Sequence, residues 1–273
     1  MRPMLRTAAV VILSLWTAPA LAQGNICRTA QPGSTAPNCA SEDFATRSIA
    51  ASVATMVGTV KTQVFTSTGT YTPSAGMLSA IIECMGGGGA GGGSTGSVSF
   101  LTSGGGGGAG SYARKYVSAA DVTPSQSVTM GAGGAGAANA IGGNGGDTSV
   151  GALCIGKGGS GGALGTSSVF GLGGAGGVAG TGDVTLPGAA GGDGAYQNGA
   201  SVGFVVPSGM GAVSQFGGGG VQTASSDTSV SNGAASSGFG GGGSGGMSNH
   251  VATNTKGGDG APGYVVITEF CSQ

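Results

Sequence analysis

The sequence predicts a mainly β and irregular protein. A small β-domain is closed by its first and last strands, a bundle of short polyglycine-II-type helices extends from it, and one short α-helix lies near the N-terminus. Three observations predict this. Glycine supplies 65 of 273 residues, and sixty of them follow Met85. Within that region glycine recurs every third residue: Gly86, Gly89, Gly92; Gly104, Gly107, Gly110; Gly156, Gly159, Gly162, Gly165; Gly171, Gly174, Gly177, Gly180; Gly240, Gly243, Gly246; and Gly257, Gly260, Gly263. Strand-like runs stand at both ends of it.

The period of three is the turn of a polyproline-II-type helix, which has no internal hydrogen bonds. Glycine on one edge lets such helices approach and pair through N–H···O bonds and Cα–H···O contacts. Collagen needs an unbroken G-X-Y phase and much proline; here the phase slips between blocks and there are nine prolines. A flexible linker fits poorly, because disorder goes with low hydrophobicity and high net charge, whereas 39 % of residues are hydrophobic and 7 % charged. A stack of glycine-rich parallel β-turns would fit the same composition. Net charge is −1 and no basic stripe is present, which argues against nucleic-acid binding.

The N-terminus reads as a secretory signal at residues 1–22. Arg2 and Arg6 form the charged end, Ala8 to Leu15 the apolar stretch, and Ala20-Leu21-Ala22 a small-x-small cleavage site. No apolar run is long enough to span a bilayer. Residues 23–61 then form an N-terminal segment. Ser41, Glu42 and Asp43 give a helix start, and Ile49, Val53, Met56 and Val60 an a/d-like seam. This predicts a helix over 41–60, either oligomerising (a homotrimer among the options) or packed on its own domain, with Gly58 near its end.

Val64 to Thr66 and Thr70 to Thr72 flank Gly69 as a hairpin would. Leu78, Ala80, Ile82 and Cys84 alternate as in a strand with a buried face. Further strands are expected at Ser111 to Val117, Gln126 to Met130, Ser149 to Ile155 and Tyr264 to Phe270. Five cysteines follow the cleavage site. Cys27 and Cys39 bracket a short loop and form one expected pair; Cys84 and Cys271 end the two most strand-like segments and form a second, which leaves Cys154 free. Spacing does not fix the connectivity.

Motifs for chemistry are weak. Gly151 to Gly158 nearly spells a phosphate loop, but Gly158 stands where the hydroxyl should be. Gly142 to Asp147 fits one copy of a calcium repeat that needs several, so Asp147 reads as a turn residue. His250 is the only histidine and no acid follows it at a useful spacing. The expectation is a protein that is not an enzyme, with no cofactor and no metal. Recognition is expected instead in the glycine-poor inserts (Ser97–Ser103, Thr166–Phe170, Tyr196–Pro207, Met210–Phe216, Val221–Asn232 and Met247–Lys256), which fall at turns if the helices run back and forth. Phe100, Phe170, Tyr196, Phe204, Phe216, Phe239 and His250 are the notable side chains in or beside them. Tyr196, Phe204, Phe216 and His250 are the candidate contacts, against the alternative that the aromatics plug the bundle ends.

One series of segments carries a resemblance. Thr62 to Pro73, with its F-x-x-x-G-T-Y-T-P, leads into Ile81 to Met85 and the first glycine run; Gly146 to Gly151 and Gly156 to Gly159 follow, and Val265 to Gln273 ends the chain. Over residues 62–273 this resembles the C-terminal glycine-rich domain of bacteriophage tail fibre proteins, and more loosely phage adhesins built as polyglycine-helix sandwiches. The resemblance implies a virion-associated, trimeric fibre tip that contacts a bacterial cell-surface glycan or outer-membrane protein. A cleavable signal departs from that pattern, which leaves three readings: an exported bacterial protein that uses a fibre-tip domain, a prophage-derived protein, or an N-terminal stretch that does not act as a signal. A secreted structural or matrix protein is the rival reading, and an ice-binding face a third, opposed by the phase slips and bulky inserts.

Overall fold

The computed structural model describes residues 57–198, 207–224 and 228–272. The signal segment, the 27–39 cysteine pair and residues 41–56 of the expected helix lie outside them. Fifteen strands follow one another: β1 (Val57–Phe65), β2 (Gly69–Tyr71), β3 (Met77–Met85), β4 (Ser97–Ser103), β5 (Tyr112–Ser118), β6 (Gln126–Thr129), β7 (Thr148–Val150), β8 (Cys154–Gly156), β9 (Val184–Leu186), β10 (Tyr196–Asn198), β11 (Phe216–Gly218), β12 (Ser229–Ser231), β13 (Ser237–Phe239), β14 (Met247–Val251) and β15 (Tyr264–Ser272). A single helical turn, α1 (Ala119–Val122), links β5 to β6.

The first and last strands do close a β-domain. A five-stranded sheet runs β1-β15-β3-β5-β9, and a four-stranded sheet β2-β6-β7-β8 packs on it. Alternation sets the buried face: Ala80, Ile82 and Cys84 of β3 and Val265, Ile267 and Cys271 of β15 point inward, against Tyr71, Val128, Val150 and Cys154 of the second sheet. The core also holds one acid. Glu269 is 0 % exposed, and its Oε1 accepts hydrogen bonds from the Tyr71 hydroxyl (2.9 Å), the Ser74 N–H (2.9 Å) and Gln63 Nε2 (3.2 Å). Burial pushes its carboxyl up, but these bonds outweigh burial and hold it below the usual carboxylate range. Burial, then the carboxylate, raises the Tyr71 phenol.

Three expectations are corrected here. Residues 57–60 are strand, not helix end: β1 lies antiparallel to β15 with Val60 opposite Phe270 and Val64 opposite Val266, and β-branched cross-strand pairs outweigh a two-heptad seam. β1 and β2 do not form a hairpin about Gly69; β1 joins β15 and β2 joins β6, in different sheets. The strand expected over 149–155 is the hairpin β7–β8, turned at Gly151 with φ +50°. The disulfide follows from this. Cys84 bonds Cys154 across the sandwich, with Cα atoms 6.1 Å apart, and among the described residues buried Cys271 is the free thiol. Cys84 pairs in register with Val265 and Cys271 with Met77, at opposite ends of β3 and β15, so the expected 84–271 bridge is out of reach.

From the sandwich the chain passes into glycine helices. The segment 86–94 shows their geometry. Gly86, Gly89 and Gly92 donate N–H bonds to Ser111, Gly108 and Gly105; Gly87, Ala90 and Gly93 donate to Gly146, Gly143 and Ala140; Gly88, Gly91 and Ser94 donate to Ala261, Gly258 and Thr255. Successive residues thus address three neighbours in rotation, the signature of three residues per turn. The carbonyls accept from three others: from Gly159, Gly162 and Gly165, from Gly243 and Gly246, and from Gly134. Six neighbours surround one helix. The segment 104–111 donates to 240–246, 157–163 and 189–192, and accepts from 86–92, 174–177 and 209–212. The segment 240–246 donates to 89–92, 209–212 and Ala234, and accepts from 104–110, Gly220 and 258–261.

These three helices touch one another and form the centre of a hexagonal array. Around them runs a closed ring of 131–138, 140–147, 156–165, 171–180, 187–195, 208–212, 219–223, 233–236 and 255–263, each bonded to the next or, at Gly220 and Ala234, in close approach. Position in the array explains composition. The inner helices are glycine except for a few small residues, Ala90, Ser94, Ala109, Ser111 and Ser244, all 0 % exposed. Outer helices have one free edge, and every third residue there carries a side chain: Lys157, Ser160, Ala163; Leu172, Ala175, Val178. Two edges in three must therefore be glycine outside and nearly all three inside, a stricter rule than one glycine edge.

Candidate functional site: the distal tip

Register places every connection at one end of the array or the other. The helix 86–94 leaves β3 at the sandwich and ends where 104–105 begins; its partners bond at 140, 165, 246 and 255 at that far end. Six connections reach that end, and their described residues are 95–103, 139, 166–170, 196–198 with 207, 224 with 228–232, and 247–254. Four of them contribute strands to a tip sheet of order β10-β4-β14-β12. Tyr196 faces Thr102 and Asn198 faces Phe100; Ser248 faces Thr102 and Val230 faces Ser248. Side-chain alternation then puts Val98, Phe100, Tyr196, Asn198 and Val230 on one face. Leu101, Met247 and Asn249, nearly inaccessible, turn to the other. Thr102 and Ser248 share that face but are 0 % exposed; its accessible part includes Val98, 69 % exposed, and the stacked Phe100 and Tyr196 rings, centroids 6.0 Å apart and planes at 21°.

Hydroxyls and amides pin this tip to the array. Ser94 and Thr255 share a buried hydroxyl bond of 2.7 Å. Thr102 Oγ1 donates to the Thr95 carbonyl (2.7 Å) and Ser103 Oγ to that of Ala195 (3.0 Å). Asn254 Oδ1 accepts from the Gly96 N–H (2.9 Å). Thr95 Oγ1 donates to Asn139 Oδ1 (2.6 Å), Asn139 being one of the non-glycine residues at positive φ. His250 is another, at φ +50°; it lies in the bulge of β14, with Nδ1 2.6 Å from Asn249 Oδ1. Charge is scarce: the six connections contain one acid, Asp227, and no Lys or Arg, and Lys256 at their border pairs with Asp259 at 3.1 Å.

The sequence-derived candidates divide. Tyr196 and His250 both lie on the tip sheet, on β10 and β14, with β4 between them. Phe204 lies outside the described residues. Phe216 sits at the opposite end, on β11 against β13, where it packs on Tyr112 (6.1 Å) and Tyr264 (5.3 Å), itself stacked on Phe239 (4.4 Å). That aromatic cluster plugs the junction between sandwich and array. Burial and a hydrogen bond to Glu83 raise the Tyr112 phenol there. A cleft of about 240 Å³ beside it, lined by Met85, Tyr112, Leu186, Pro187 and Val213 among others, is smaller than pockets that bury small ligands. The phosphate-loop look-alike is the β7–β8 turn, a disulfide cysteine and the start of a glycine helix.

Sequence reading also missed a set of acceptors. An outer helix has N–H groups on its free side, and Asp or Asn on the next helix satisfies them. Asn144 and Asp147, three residues apart, accept from Gly161 (2.9 Å) and Gly158 (2.9 Å); Asp193 accepts from Gly173 (2.8 Å) and Asp259 from Gly136 (2.8 Å). Asp147 is therefore an inter-helix clamp rather than a turn residue, reinforced by Lys157 at 2.7 Å. The signal was present as G-G-N and G-G-D, repeated at 142–147, 191–193 and 257–259. No curated protein matches the chain. A family model for a glycine-rich domain matches residues 62–269, from within β1 to within β15, and the chain belongs to that glycine-rich domain family.

Proposed function

We propose that this is a non-enzymatic surface-recognition protein, an adhesin of the kind that tips bacteriophage tail fibres, whose partner is a bacterial cell-surface glycan or outer-membrane protein. The observation that supports it is the gathering of six glycine-poor connections at one end of a rigid array. The array needs no variation in those connections, so their sequences are free to serve binding. Tyr196 and His250 remain contact candidates; Phe216 is set aside because it packs in the junction. In this reading the protein is exported or virion-associated, and three copies multiply weak single contacts.

The test is binding of fluorescently labelled protein to a panel of bacterial strains, with intact and with stripped surface polysaccharide. Selective, saturable binding is expected. Equal or absent binding across the panel would favour a structural matrix role.

A further inference from the structure

We propose that the stacked Phe100 and Tyr196 rings form a platform for one hexopyranose unit of a neutral glycan, with the Asn198 amide beside it. The proposal rests on the recognition reading above and names its ligand class. β10 is the edge strand of the tip sheet, so Tyr196 has Phe100 against one ring face and no strand among the described residues on the other. Both rings are half-buried and held by the β4–β10 register, which fixes the surface before any ligand arrives. The π face of an aromatic ring is electron-rich and attracts the polarised C–H groups on the apolar face of a pyranose. Asn198, exposed and directly opposite Phe100, can both donate to and accept from ring hydroxyls.

The charge pattern selects the class. Among the described residues of the six connections there is no Lys or Arg, so no permanent cation there would neutralise a phosphorylated or acidic sugar. Protein hot spots lean on Trp, Tyr and Arg, and of these the connections contain only Tyr196. A neutral polyhydroxylated ligand matches apolar rings surrounded by Ser, Thr and Asn.

The experiment takes polysaccharide from a strain the protein binds, splits it into neutral and acidic fractions, and titrates each calorimetrically with wild type, Tyr196→Ala, Tyr196→Phe and Phe100→Ala. The neutral fraction should bind, with affinity little changed as salt rises from about 0.05 to 0.5 M. Tyr196→Ala should weaken it about tenfold or more, while Tyr196→Phe, which keeps the ring and the fold, stays within about threefold. Binding confined to the acidic fraction, or equal affinity of Tyr196→Ala and wild type, overturns the platform. Cell binding that survives glycan stripping but not protease treatment overturns it too while leaving the recognition reading standing; failure to bind any strain removes both.

Discussion

Replacing Gly89 by alanine tests the array directly. Gly89 lies in the central 86–94 helix; it donates to Gly108 (2.8 Å) and its carbonyl accepts from Gly243 (3.0 Å). A Cβ there would lie against the carbonyl of Ser160, inside the 3.0 Å that real Cβ atoms essentially never breach. The obstacle is backbone, held by its own ladder, so the neighbouring helix must shift as a unit. Overpacking of this sort costs about 1–3 kcal/mol. Distorting the two bonds of Gly89 adds about 0.5–1.5 kcal/mol each. Reduced freedom of the unfolded chain returns about 0.4–1 kcal/mol. The net expectation is a loss of roughly 1–5.5 kcal/mol. Gly69→Ala is the control: its Cβ would meet nothing closer than Phe65 Cδ1 at 3.8 Å, so stability should hold or rise by up to about 1 kcal/mol. Urea unfolding followed by circular dichroism reads both. Equal stability of the two variants would refute close-packed glycine helices as the reason for the composition.

Other consequences follow from single contacts. Glu269→Gln keeps an oxygen for Tyr71 and Ser74 but places an amide NH2 where Oε2 has no hydrogen-bond partner among the described residues, a loss of about 1–3 kcal/mol at neutral pH. Because the folded carboxyl is held below its ordinary 4.5, its contribution is present above that value and fades as pH falls through the folded one; wild type and variant should converge in acid, and a gap independent of pH in thermal melts would disprove the charge's role. Cys154→Ala, which opens a cross-link spanning 70 residues of sequence, should cost about 2–4 kcal/mol, and non-reducing peptide mapping should find Cys84 joined to Cys154; a fragment joining Cys84 to Cys271 would contradict the register of β3 and β15. Asp193→Ala removes the acceptor for Gly173 (2.8 Å) on an exposed edge and should cost about 0.5–1.5 kcal/mol, seen as faster amide exchange at Gly173 with other array amides unchanged; uniform acceleration would show that the clamp is not local.

What could be read in the sequence was whatever has a period. A repeat of three marked the glycine helices, alternation marked β3 and β15, and interruption of the repeat marked the connections. What could not be read depends on partners distant in sequence. Val60 continues a helical seam with Ile49, Val53 and Met56, yet its place opposite Phe270 is decided by a strand two hundred residues away. Cys84 and Cys271 look equivalent as strand ends, but antiparallel pairing separates them and brings Cys154 across from the second sheet. Tyr196 and Phe216 look alike as insert aromatics; the direction of their helices sends one to the tip and the other to the junction. Glu269 sits among apolar residues as an alternating position would demand, and nothing local announces that Tyr71 and Ser74 meet it.

The array and the sandwich need each other for a physical reason. The inner helices bury few side chains, all of them small (Ala90, Ser94, Ala109, Ser111 and Ser244), so the hydrophobic effect contributes little to their packing, while glycine loses more conformational entropy on ordering than any other residue. Each net hydrogen bond returns only about 0.5–1.5 kcal/mol, set against a backbone cost of about 1–2 kcal/mol per residue. A free glycine helix is therefore unstable, and two together scarcely better. The sandwich changes the balance by fixing where the helices start: β3 runs directly into 86–94, 104–111 into β5, and 255–263 into β15. Three antiparallel strands already in register deliver helices already aligned, and the Cys84–Cys154 bond sits two residues before the first of them. On this argument, disrupting the sandwich should melt the array with it in one transition, whereas substitutions on the exposed tip face, which lies beyond the ladders, should leave that transition unmoved. Recognition at the tip is thereby separated from stability at the base.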